Sequence, residues 1–436
     1  MNKRKIVFLV VFCIWTAFLT ARIFQIHPDL MDGQKVLLPK YLFINKMQMS
    51  PNFIHGQSES NLQTTFEYGG SVTRQRFFES EIRPPLEIDF ESEKINFGIH
   101  SASKASAAVD ATGIYVGSDS GWIFGFDLDG HRRWEFLTSN SFRGIHGTAS
   151  LDEDSLYLGS YNGFFYRLNK TTGRPTWATR LLNASGCSSL LWQDKVIICT
   201  ESGNNGYLVQ LDRQTGKMIW QTEPFGEQVH SSPTFDPKSN LVFIGDNLGY
   251  FRAYDFSSGQ LRWSYFEEKA IKGTAILFDD QVCFSSWNSR FSCLNTQTGK
   301  RVSVFDLAER SQSSAALDPA SGVAYVFSGG LNNLTFYAFD LRRKKVLWKN
   351  SMKSNSGMTS PILTTDPSGA KHLWGNCSSK SFCHFDISTG KPTWSISLQK
   401  KMTSTPTVFK NKIYLSMDDG PLVVLKMKSG LRSHHD

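Results

Sequence analysis

Two features that would carry chemistry are missing from this sequence. None of its seven Cys residues belongs to a Cys-x-x-Cys motif, the spacing used by thioredoxin-like redox centres and zinc ribbons. A large excess of charge of one sign is also missing, because the net charge is only +8 over 436 residues. No stretch resembles a nucleic-acid-binding module. These absences argue against thiol redox chemistry, a structural zinc site and a nucleic-acid partner.

Long apolar runs are also rare, and the clearest one lies near the N-terminus. A basic start, Met1–Lys5, precedes the uncharged segment Ile6–Ala21. This segment is long for a signal-peptide core and short for a membrane-spanning helix of about 20 residues. Arg22 can snorkel, however, so that the span extends to Ile26. We therefore predict a membrane anchor.

The anchor is assigned to residues 1–26, with residues 6–26 in contact with the lipid bilayer. Ala21 suits a cleavage site, but Leu19 is too large for the position two residues earlier, so a cleaved signal peptide is the alternative. Both possibilities export the rest of the chain, because the Lys/Arg cluster stays in the cytoplasm. Residues 27–83 show no steady periodicity, which predicts a stem between the anchor and a folded domain.

A tryptophan recurs at nearly constant spacing through the remaining sequence. The first four are each 43 residues apart, and the series resumes after a slot that Ser303 occupies. A period of about 40–50 residues built from short strands is typical of a four-stranded propeller blade. The repeat tryptophans are Trp134, Trp177, Trp220, Trp263, Trp348 and Trp394.

The fourth repeat shows how one blade is built. Ser231–Phe235 and Leu241–Gly245 are short apolar segments joined by a turn rich in Pro, Ser and Asn. Asp246–Gly249 predicts a tight hairpin, because Asn and Gly tolerate positive φ. The strands Tyr250–Tyr254 and Gln260–Tyr265 complete an antiparallel blade. A blade must stack on its neighbours to bury both faces, and the large flat Trp suits that seam.

The two ends of the repeat region predict how the ring closes. Seven repeats end near Trp394, and an eighth begins at Thr403 without room for its fourth strand. The alternating segment Leu86–Phe90 is predicted to supply that outer strand, because an open ring would expose an edge. The expected fold class is all-β, with an eight-bladed β-propeller of four-stranded antiparallel blades over residues 84–436. Seven blades is the alternative.

The repeat signature resembles the pyrroloquinoline-quinone-type (PQQ-like) propeller family. It combines a Tyr-Val-Gly-Ser strand end, as in Tyr115–Ser118, with Thr-Gly followed four residues later by Trp, as in Thr172-Gly173 and Trp177. The WD40 pattern fits less well, because no Trp-Asp dipeptide occurs.

The dehydrogenases of this family imply a quinone beside calcium, an Asp base and adjacent cysteines. No Cys-Cys dipeptide occurs here, and no converging set of oxygen ligands can be named. We predict no catalytic, cofactor-binding or metal-binding residues.

The position before each innermost strand is expected to face the mouth of the central channel. Four cationic or titratable side chains share this position: Lys104, His146, His230 and Lys272. The other blades supply Gly186, Gln312, Met358 and Thr403. Such a rim can bind an anionic ligand, but a polar, hydrated rim is also common in propellers. His146 and His230 are two blades apart, which disfavours shared metal ligation.

Six Cys residues beyond the anchor form three pairs of near neighbours. An even number in an exported chain permits disulfides, whereas cross-strand geometry is often unfavourable, so disulfides and buried thiols both remain possible. The pairs are Cys187 with Cys199, Cys283 with Cys293, and Cys377 with Cys383.

The resemblance extends to the propeller lipoproteins of the outer-membrane β-barrel assembly machinery, although this chain has no comparable lipidation cysteine. We therefore predict a single-pass, membrane-tethered scaffold of the cell envelope. Its propeller would lie on the extracytoplasmic (periplasmic or lumenal) side and bind another envelope or membrane protein. A PQQ-dependent quinoprotein dehydrogenase and a sensor that binds an anionic small molecule at the channel mouth are the alternatives.

Overall fold

The computed structural model describes residues 66–98, 101–138, 144–181, 183–201, 205–329, 333–354 and 359–429. These residues form 33 β-strands and no helix. Consequently, no helix among them is long and apolar enough to cross a membrane. The predicted anchor at residues 1–26, most of the predicted stem and the rim residue Met358 lie outside the described ranges.

Short strands follow one another along the chain and group into eight sheets, the blades. Two strands, β1 (Phe77–Glu79) and β2 (Leu86–Lys94), precede the first complete blade. Blade 1 contains β3 (Ala108–Asp110), β4 (Gly113–Gly117), β5 (Trp122–Phe126) and β6 (Arg132–Leu137), and blade 2 contains β7 (Ser150–Leu151), β8 (Ser155–Gly159), β9 (Phe164–Asn169) and β10 (Pro175–Arg180). Blade 3 contains β11 (Leu190–Trp192), β12 (Lys195–Thr200), β13 (Tyr207–Asp212) and β14 (Met218–Gln221), and blade 4 contains β15 (Thr234–Asp236), β16 (Leu241–Gly245), β17 (Tyr250–Asp255) and β18 (Leu261–Phe266).

The second half of the chain repeats the arrangement. Blade 5 contains β19 (Ile276–Phe278), β20 (Gln281–Ser286), β21 (Arg290–Asn295) and β22 (Arg301–Asp306), and blade 6 contains β23 (Ala316–Asp318), β24 (Val323–Gly329), β25 (Asn333–Asp340) and β26 (Lys345–Lys353). Blade 7 contains β27 (Ile362–Thr365), β28 (Lys371–Ser378), β29 (Ser381–Phe385) and β30 (Pro392–Ser397), and blade 8 contains β31 (Thr407–Phe409), β32 (Lys412–Ser416) and β33 (Pro421–Met427). Consecutive strands in each blade pair antiparallel.

The predicted boundaries of the fourth repeat hold closely, with one informative difference. Its innermost strand begins at Thr234 rather than Ser231. Pro233 lacks a backbone N–H and cannot donate to a ladder, so the preceding residues approach the strand without joining it. These approach residues line the channel in the blades described below.

The eighth blade confirms the predicted ring closure. Its strand order is β2-β33-β32-β31, so the N-terminal strand supplies the outer edge and the C-terminal segment supplies the other three strands. Leu86 pairs with Met427, and Ile88 with Leu425. Seven four-stranded sheets and one sheet widened to five strands by β1 confirm the eight-bladed ring over the seven-bladed alternative.

The repeat tryptophans seal neighbouring blades, as predicted. Trp177 of blade 2 donates its indole N–H to the Arg213 carbonyl of blade 3 over 3.1 Å. Its ring covers Gly216, where an added Cβ would lie only 2.7 Å from ring atoms. The same indole-to-carbonyl bond crosses four other seams: Trp134 to Lys170 (2.7 Å), Trp220 to Phe256 (3.0 Å), Trp263 to Thr296 (2.8 Å) and Trp348 to Ile387 (2.9 Å).

Two seams have no repeat tryptophan, and only one of them keeps its glycine. Ser303 replaces Trp in blade 5, and the facing turn of blade 6 has Lys344 at positive φ (55°) instead of Gly. At the closing seam, Phe90 of β2 lies against Gly130, where a Cβ would fall 2.4 Å from the Phe90 ring. Phe90 therefore occupies the place that Trp occupies elsewhere. The glycine is needed where a flat ring must approach the backbone.

Residues 66–80, here called the inner strap, precede the predicted propeller start at residue 84 but hydrogen-bond to the ring. The strap crosses the innermost strands of successive blades and makes backbone bonds to blades 2, 4, 5, 6 and 7. Its bonds are Phe66 with Leu151 (2.9 and 3.1 Å), Val72 with Phe235 (3.0 Å), Thr73 with Leu277 (3.1 Å), Gln75 with Leu317 (2.8 Å) and Arg76 with Leu363 (3.0 Å). The chain thus enters the ring by Phe66, within the stretch assigned to the stem.

The strap satisfies groups that the ring alone leaves unpaired. An innermost strand has a free edge facing the channel, and its N–H groups need acceptors. The strap carbonyls accept from one N–H in each of several blades, and β1 then adds a parallel strand beside β27. Successive bonding residues of the strap hydrogen-bond to different blades, so the segment shows no strand or helix periodicity. This lack of periodicity explains why the sequence predicted a stem here.

All three predicted cysteine pairs are disulfides: Cys187–Cys199, Cys283–Cys293 and Cys377–Cys383. Cys283 and Cys293 are directly opposite on β20 and β21. Each bridge lies within a single blade and links positions 12, 10 and 6 residues apart, respectively.

Candidate functional site

A polar cavity of about 180 Å³ lies at the mouth of the central channel. Each blade contributes the residues that precede its innermost strand. The structure brings all four predicted rim residues, Lys104, His146, His230 and Lys272, into this one cavity, together with Gly186, Gln312 and Thr403. Their juxtaposition follows the sequence alignment, whereas their role in binding stays a prediction.

A complete ring of hydroxyl groups lies two residues beyond the rim. All eight blades carry Ser or Thr there: Ser106, Thr148, Ser188, Ser232, Thr274, Ser314, Ser360 and Thr405. From blade 1 to blade 7, the backbone N–H of each such residue donates to the hydroxyl oxygen of the next blade, over 2.9–3.1 Å. The hydroxyls therefore connect neighbouring blades around the channel.

The hydroxyl ring also leaves donors facing the cavity. From Thr148 to Ser360 each hydroxyl oxygen accepts a backbone N–H, and within the described ranges its own O–H has no assigned acceptor. A hydroxyl has one donor in addition to its acceptor sites. Each of these hydroxyls can therefore still donate one hydrogen bond to a group in the cavity.

Each rim histidine is held by a carboxylate of its own. His146 Nε2 lies 2.7 Å from Asp119 Oδ1, and His230 Nε2 lies 3.3 Å from Glu201 Oε2. Glu201 also accepts a bond from the Tyr161 hydroxyl. Burial lowers the pKa of His230, although Glu201 opposes the shift. The two histidines therefore do not converge on one ion, and the described residues contain no cluster of three or more His, Cys, Asp or Glu suited to a metal.

The two rim lysines have a different environment. They belong to blades 1 and 5 and therefore face each other across an eight-bladed ring. Lys272 Nζ lies 4.1 Å from the centre of the Trp287 ring, and Arg310 lies 4.6 Å from the same ring. Burial lowers the pKa of Lys272, and the positive charges of Arg310 and Lys104 lower it further against the pull of Glu201. Among the described residues neither lysine forms an ion pair at its ammonium group.

The inner strap forms the floor of the cavity. Tyr68 lines the cavity, and the guanidinium of Arg76 lies 4.4 Å from its ring centre. The pKa of Tyr68 is lowered: loss of hydration raises it, but the charge of Arg76, a bond with Thr405 and the charge of Arg74 outweigh that effect. Arg76 is 1% exposed, and its Nε and Nη2 atoms have no hydrogen-bond partner in the described parts of the chain. The floor is consequently electropositive.

A second strap arginine is neutralised. Arg74 Nη1 lies 3.1 Å from Glu67 Oε2, with both side chains buried. Arg74 also donates to the carbonyls of Pro233 (3.0 Å) and Ser189 (2.7 Å), while Glu67 accepts from the Leu191 N–H (2.8 Å). This pair fastens the strap to blades 3 and 4.

Sequence reasoning missed the floor, Glu201 and the hydroxyl ring. The ring had a visible signal, since Ser or Thr stands two residues after every rim position in all eight repeats. Tyr68 and Arg76 had none, because they precede the repeats and reach the channel only through the path of the strap.

A quinone with calcium does not fit this cavity. Glu201 is the only carboxylate among its lining residues, and a calcium site needs several converging oxygen ligands. Tyr68 of the strap occupies the floor. A volume of about 180 Å³ is also below the roughly 300–1,000 Å³ typical of small-molecule pockets.

The face that surrounds the mouth carries an exposed apolar cluster on blade 4. Leu248, Tyr250 and Phe266, here called the mouth patch, are 43%, 36% and 52% exposed. The Tyr250 and Phe266 ring centres are 4.8 Å apart. Asn247, next to Leu248, contacts His230 Nδ1 over 3.1 Å, which places the patch beside the rim.

The fold and its repeat define the class: a PQQ-type eight-bladed β-propeller with a strap-filled channel. More particularly, the chain belongs to the family whose model is described as outer membrane protein assembly factor BamB, which matches residues 119–350 and 336–436. A search of curated proteins found no match.

Solved structures share the fold at low sequence identity. BamB from Moraxella catarrhalis is 20% identical, with a TM-score of 0.61, over 78% of this chain and 100% of that one. A europium-containing methanol dehydrogenase is 13% identical, with a TM-score of 0.69, over 83% and 98%. Quinohemoprotein alcohol dehydrogenase from Comamonas testosteroni is 13% identical, with a TM-score of 0.66, over 85% and 82%. At these identities the matches establish the fold alone.

Proposed function

We propose that this chain is a protein-interaction scaffold of the cell envelope, without a catalytic centre, that works in outer-membrane protein assembly. Residues 1–26 would hold it in a membrane, with the propeller on the extracytoplasmic side. Membership of the BamB family supports the assembly role. The poor fit of the channel to a quinone and calcium supports a binding protein over a dehydrogenase.

The mouth patch is the observation that carries this proposal. Three large apolar side chains are exposed side by side, and two of them are aromatic rings in contact. Exposed aromatic clusters are typical of protein contact sites, where rigid rings bury much area at little entropic cost. Full burial of each such side chain by a partner contributes roughly 1.5–3 kcal/mol to the free energy of binding.

The basic residues around the mouth indicate the charge of that partner. Lys272 and Arg310 flank Trp287 on the neighbouring blade, and neither is neutralised by an ion pair among the described residues. Opposite charge across an interface orients the partner and speeds association. The expected partner surface is therefore apolar with an acidic margin.

Photo-cross-linking in the native membrane tests the proposal. A photoreactive residue at position 248 or 266 should capture one reproducible envelope protein. Leu261 is the matched control, because it is 52% exposed on the same blade but lies at the opposite end of β18 from Phe266. Equal capture from position 261, or no capture from either patch position, would rule out the mouth patch as the contact.

Removing one ring should weaken the complex strongly. We expect Phe266→Ala to reduce the copurified partner more than tenfold, because truncation of a central aromatic costs about 2 kcal/mol or more. Leu261→Ala should leave recovery within about twofold. Quantitative mass spectrometry of the affinity-purified full chain provides the measurement, with equal expression of both variants as the condition for comparison.

A further inference from the structure

The channel mouth combines charges and donors of which the scaffold role uses only Lys272. Lys104 and Lys272 face each other from blades 1 and 5, and part of the lowered pKa of Lys272 comes from Lys104 across the channel. Two like charges that act on each other over a confined space are unfavourable unless an anion lies between them. The Glu201 carboxylate opposes this repulsion, but neither lysine is held by an ion pair among the described residues, so both ammonium groups can contact an added anion.

The wall below the lysines offers hydroxyl donors. Six hydroxyl oxygens each accept a backbone N–H, and their own O–H groups have no hydrogen-bond acceptor among the described residues, so they can turn toward an anion in the channel. At the floor, Arg76 is 1% exposed with two unpaired nitrogens and holds Tyr68 in a positive environment. Fixed donors around a positive centre favour an anion, as charge-assisted hydrogen bonds do elsewhere.

The negative groups nearby are hydrogen-bonded to other side chains. Among the described lining residues Glu201 is the only carboxylate, and it contacts His230 and accepts from the Tyr161 hydroxyl. Asp119 contacts His146. Glu201 also attracts Lys272, and Asp119 attracts Lys104, but neither carboxylate forms an ion pair with a rim lysine among the described residues.

We propose that the channel mouth binds a small free oxyanion, a phosphate or a carboxylate, between Lys104 and Lys272 and above the hydroxyl ring. The cavity of about 180 Å³ suits a compact anion. Because the bound anion would neutralise both lysines, it also links opposite blades of the ring across the channel. This site shares no residue with the mouth patch, and Lys272 is its one residue that also belongs to the basic margin proposed for the protein partner.

Calorimetric titration of the purified full chain with inorganic phosphate, sulfate and succinate tests the site, against sodium chloride at equal ionic strength. We expect saturable binding of at least one oxyanion, at least tenfold weaker binding for Lys104→Gln and for Lys272→Gln, and none for the double variant. Lys238→Gln is the matched control, because Lys238 is exposed in the turn after β15 at the other end of blade 4. Its affinity should stay within twofold of the parent.

A second readout separates the site from a merely structural role. Without oxyanion, Lys104→Gln should raise the thermal midpoint, since it removes the repulsion, whereas phosphate should raise the midpoint of the parent and not of the double variant. Absence of saturable binding by all three oxyanions, or binding that both lysine variants retain, would overturn the proposal. Phosphatidylglycerol vesicles that bind the parent but not Lys104→Gln, with no binding of free oxyanion, would also overturn it and assign the lysines to a lipid headgroup.

The outcome does not depend on the scaffold function. The titration uses the purified chain alone, whereas the cross-linking experiment reports on Leu248 and Phe266. Either result can fail while the other stands.

Discussion

Glu67→Ala is expected to destabilise the protein by about 3–5 kcal/mol, because it leaves the buried guanidinium of Arg74 without its carboxylate. Both side chains are buried, at 3% and 0% exposure, so solvent cannot compensate for the lost charge. The substitution also removes the acceptor of the Leu191 N–H. Chemical unfolding followed by fluorescence measures the change as a lower unfolding midpoint.

The pH of this experiment matters. Burial raises the pKa of Glu67 to about 7, against a usual value of 4.5, since the loss of hydration outweighs the attraction of Arg74. Between these values the folded state binds more protons than the unfolded state, so stability from this group falls as the pH rises through that range. Measurements at about pH 8 therefore examine the ionised pair.

An exposed ion pair provides the control for Glu67. Asp419 pairs with Lys94 and Lys400 at roughly half exposure, and Asp419→Asn, which suits the positive φ of 46° at this position, should destabilise the protein far less than Glu67→Ala. The double variant Glu67→Ala with Arg74→Met should cost less than the sum of its single substitutions, because no charge is left unpaired. If Glu67→Ala were as mild as Asp419→Asn, the inner strap would not contribute to the stability of the ring.

Trp177→Ala is expected to cost about 3–5 kcal/mol, as is usual when a buried Trp is truncated. The substitution empties the seam between blades 2 and 3 and removes the indole bond to the Arg213 carbonyl. Trp177 is 9% exposed and belongs to the apolar cluster shared by these blades. The midpoint of denaturant unfolding, with the slope checked for two-state behaviour, provides the measurement.

The same seam can be examined from the glycine side. Gly216→Ala combines a strained φ of +69° with a Cβ 2.7 Å from the Trp177 ring, whereas Gly369→Ala at φ +84° meets no atom within 4 Å. Gly369→Ala should therefore report the backbone strain alone, about 1 kcal/mol, and Gly216→Ala should cost about 1–3 kcal/mol more. Equal costs at the two glycines would show that the ring contact is not tight.

Much of the ring was predictable because its information is local. Most repeats contain their strands, a hairpin glycine and a seam tryptophan within about 40–50 residues, so periodicity indicates the blade. The alternation in Leu86–Phe90 and the missing last strand after Thr403 predicted the closure, which β2 and β33 confirm. Four rim residues were found in the same way, since equivalent positions in stacked repeats meet around one axis.

The strap could not be predicted, for a physical reason. Phe66, Val72, Thr73 and Gln75 bond to blades that begin about 85 to 242 residues later in the chain, and each bond needs only a backbone group. Because each of these hydrogen bonds uses only backbone groups, the strap needs no recurring pattern of side chains that a sequence would reveal. Likewise, nothing near Glu67 in the sequence indicates that Leu191 and Ser150 would surround its carboxylate.

The sequence by itself determined the repeat, the blade, the number of blades and the identity of the residues at the channel rim, because these depend on spacings within one repeat. Only the tertiary structure decided what the channel contains: Tyr68 on its floor, an uncompensated Arg76 beneath, and two lysines opposite each other above a ring of hydroxyls. Closing the ring brings residues from every blade within a few ångströms of one axis, and that proximity follows from blade stacking rather than from any segment of the chain.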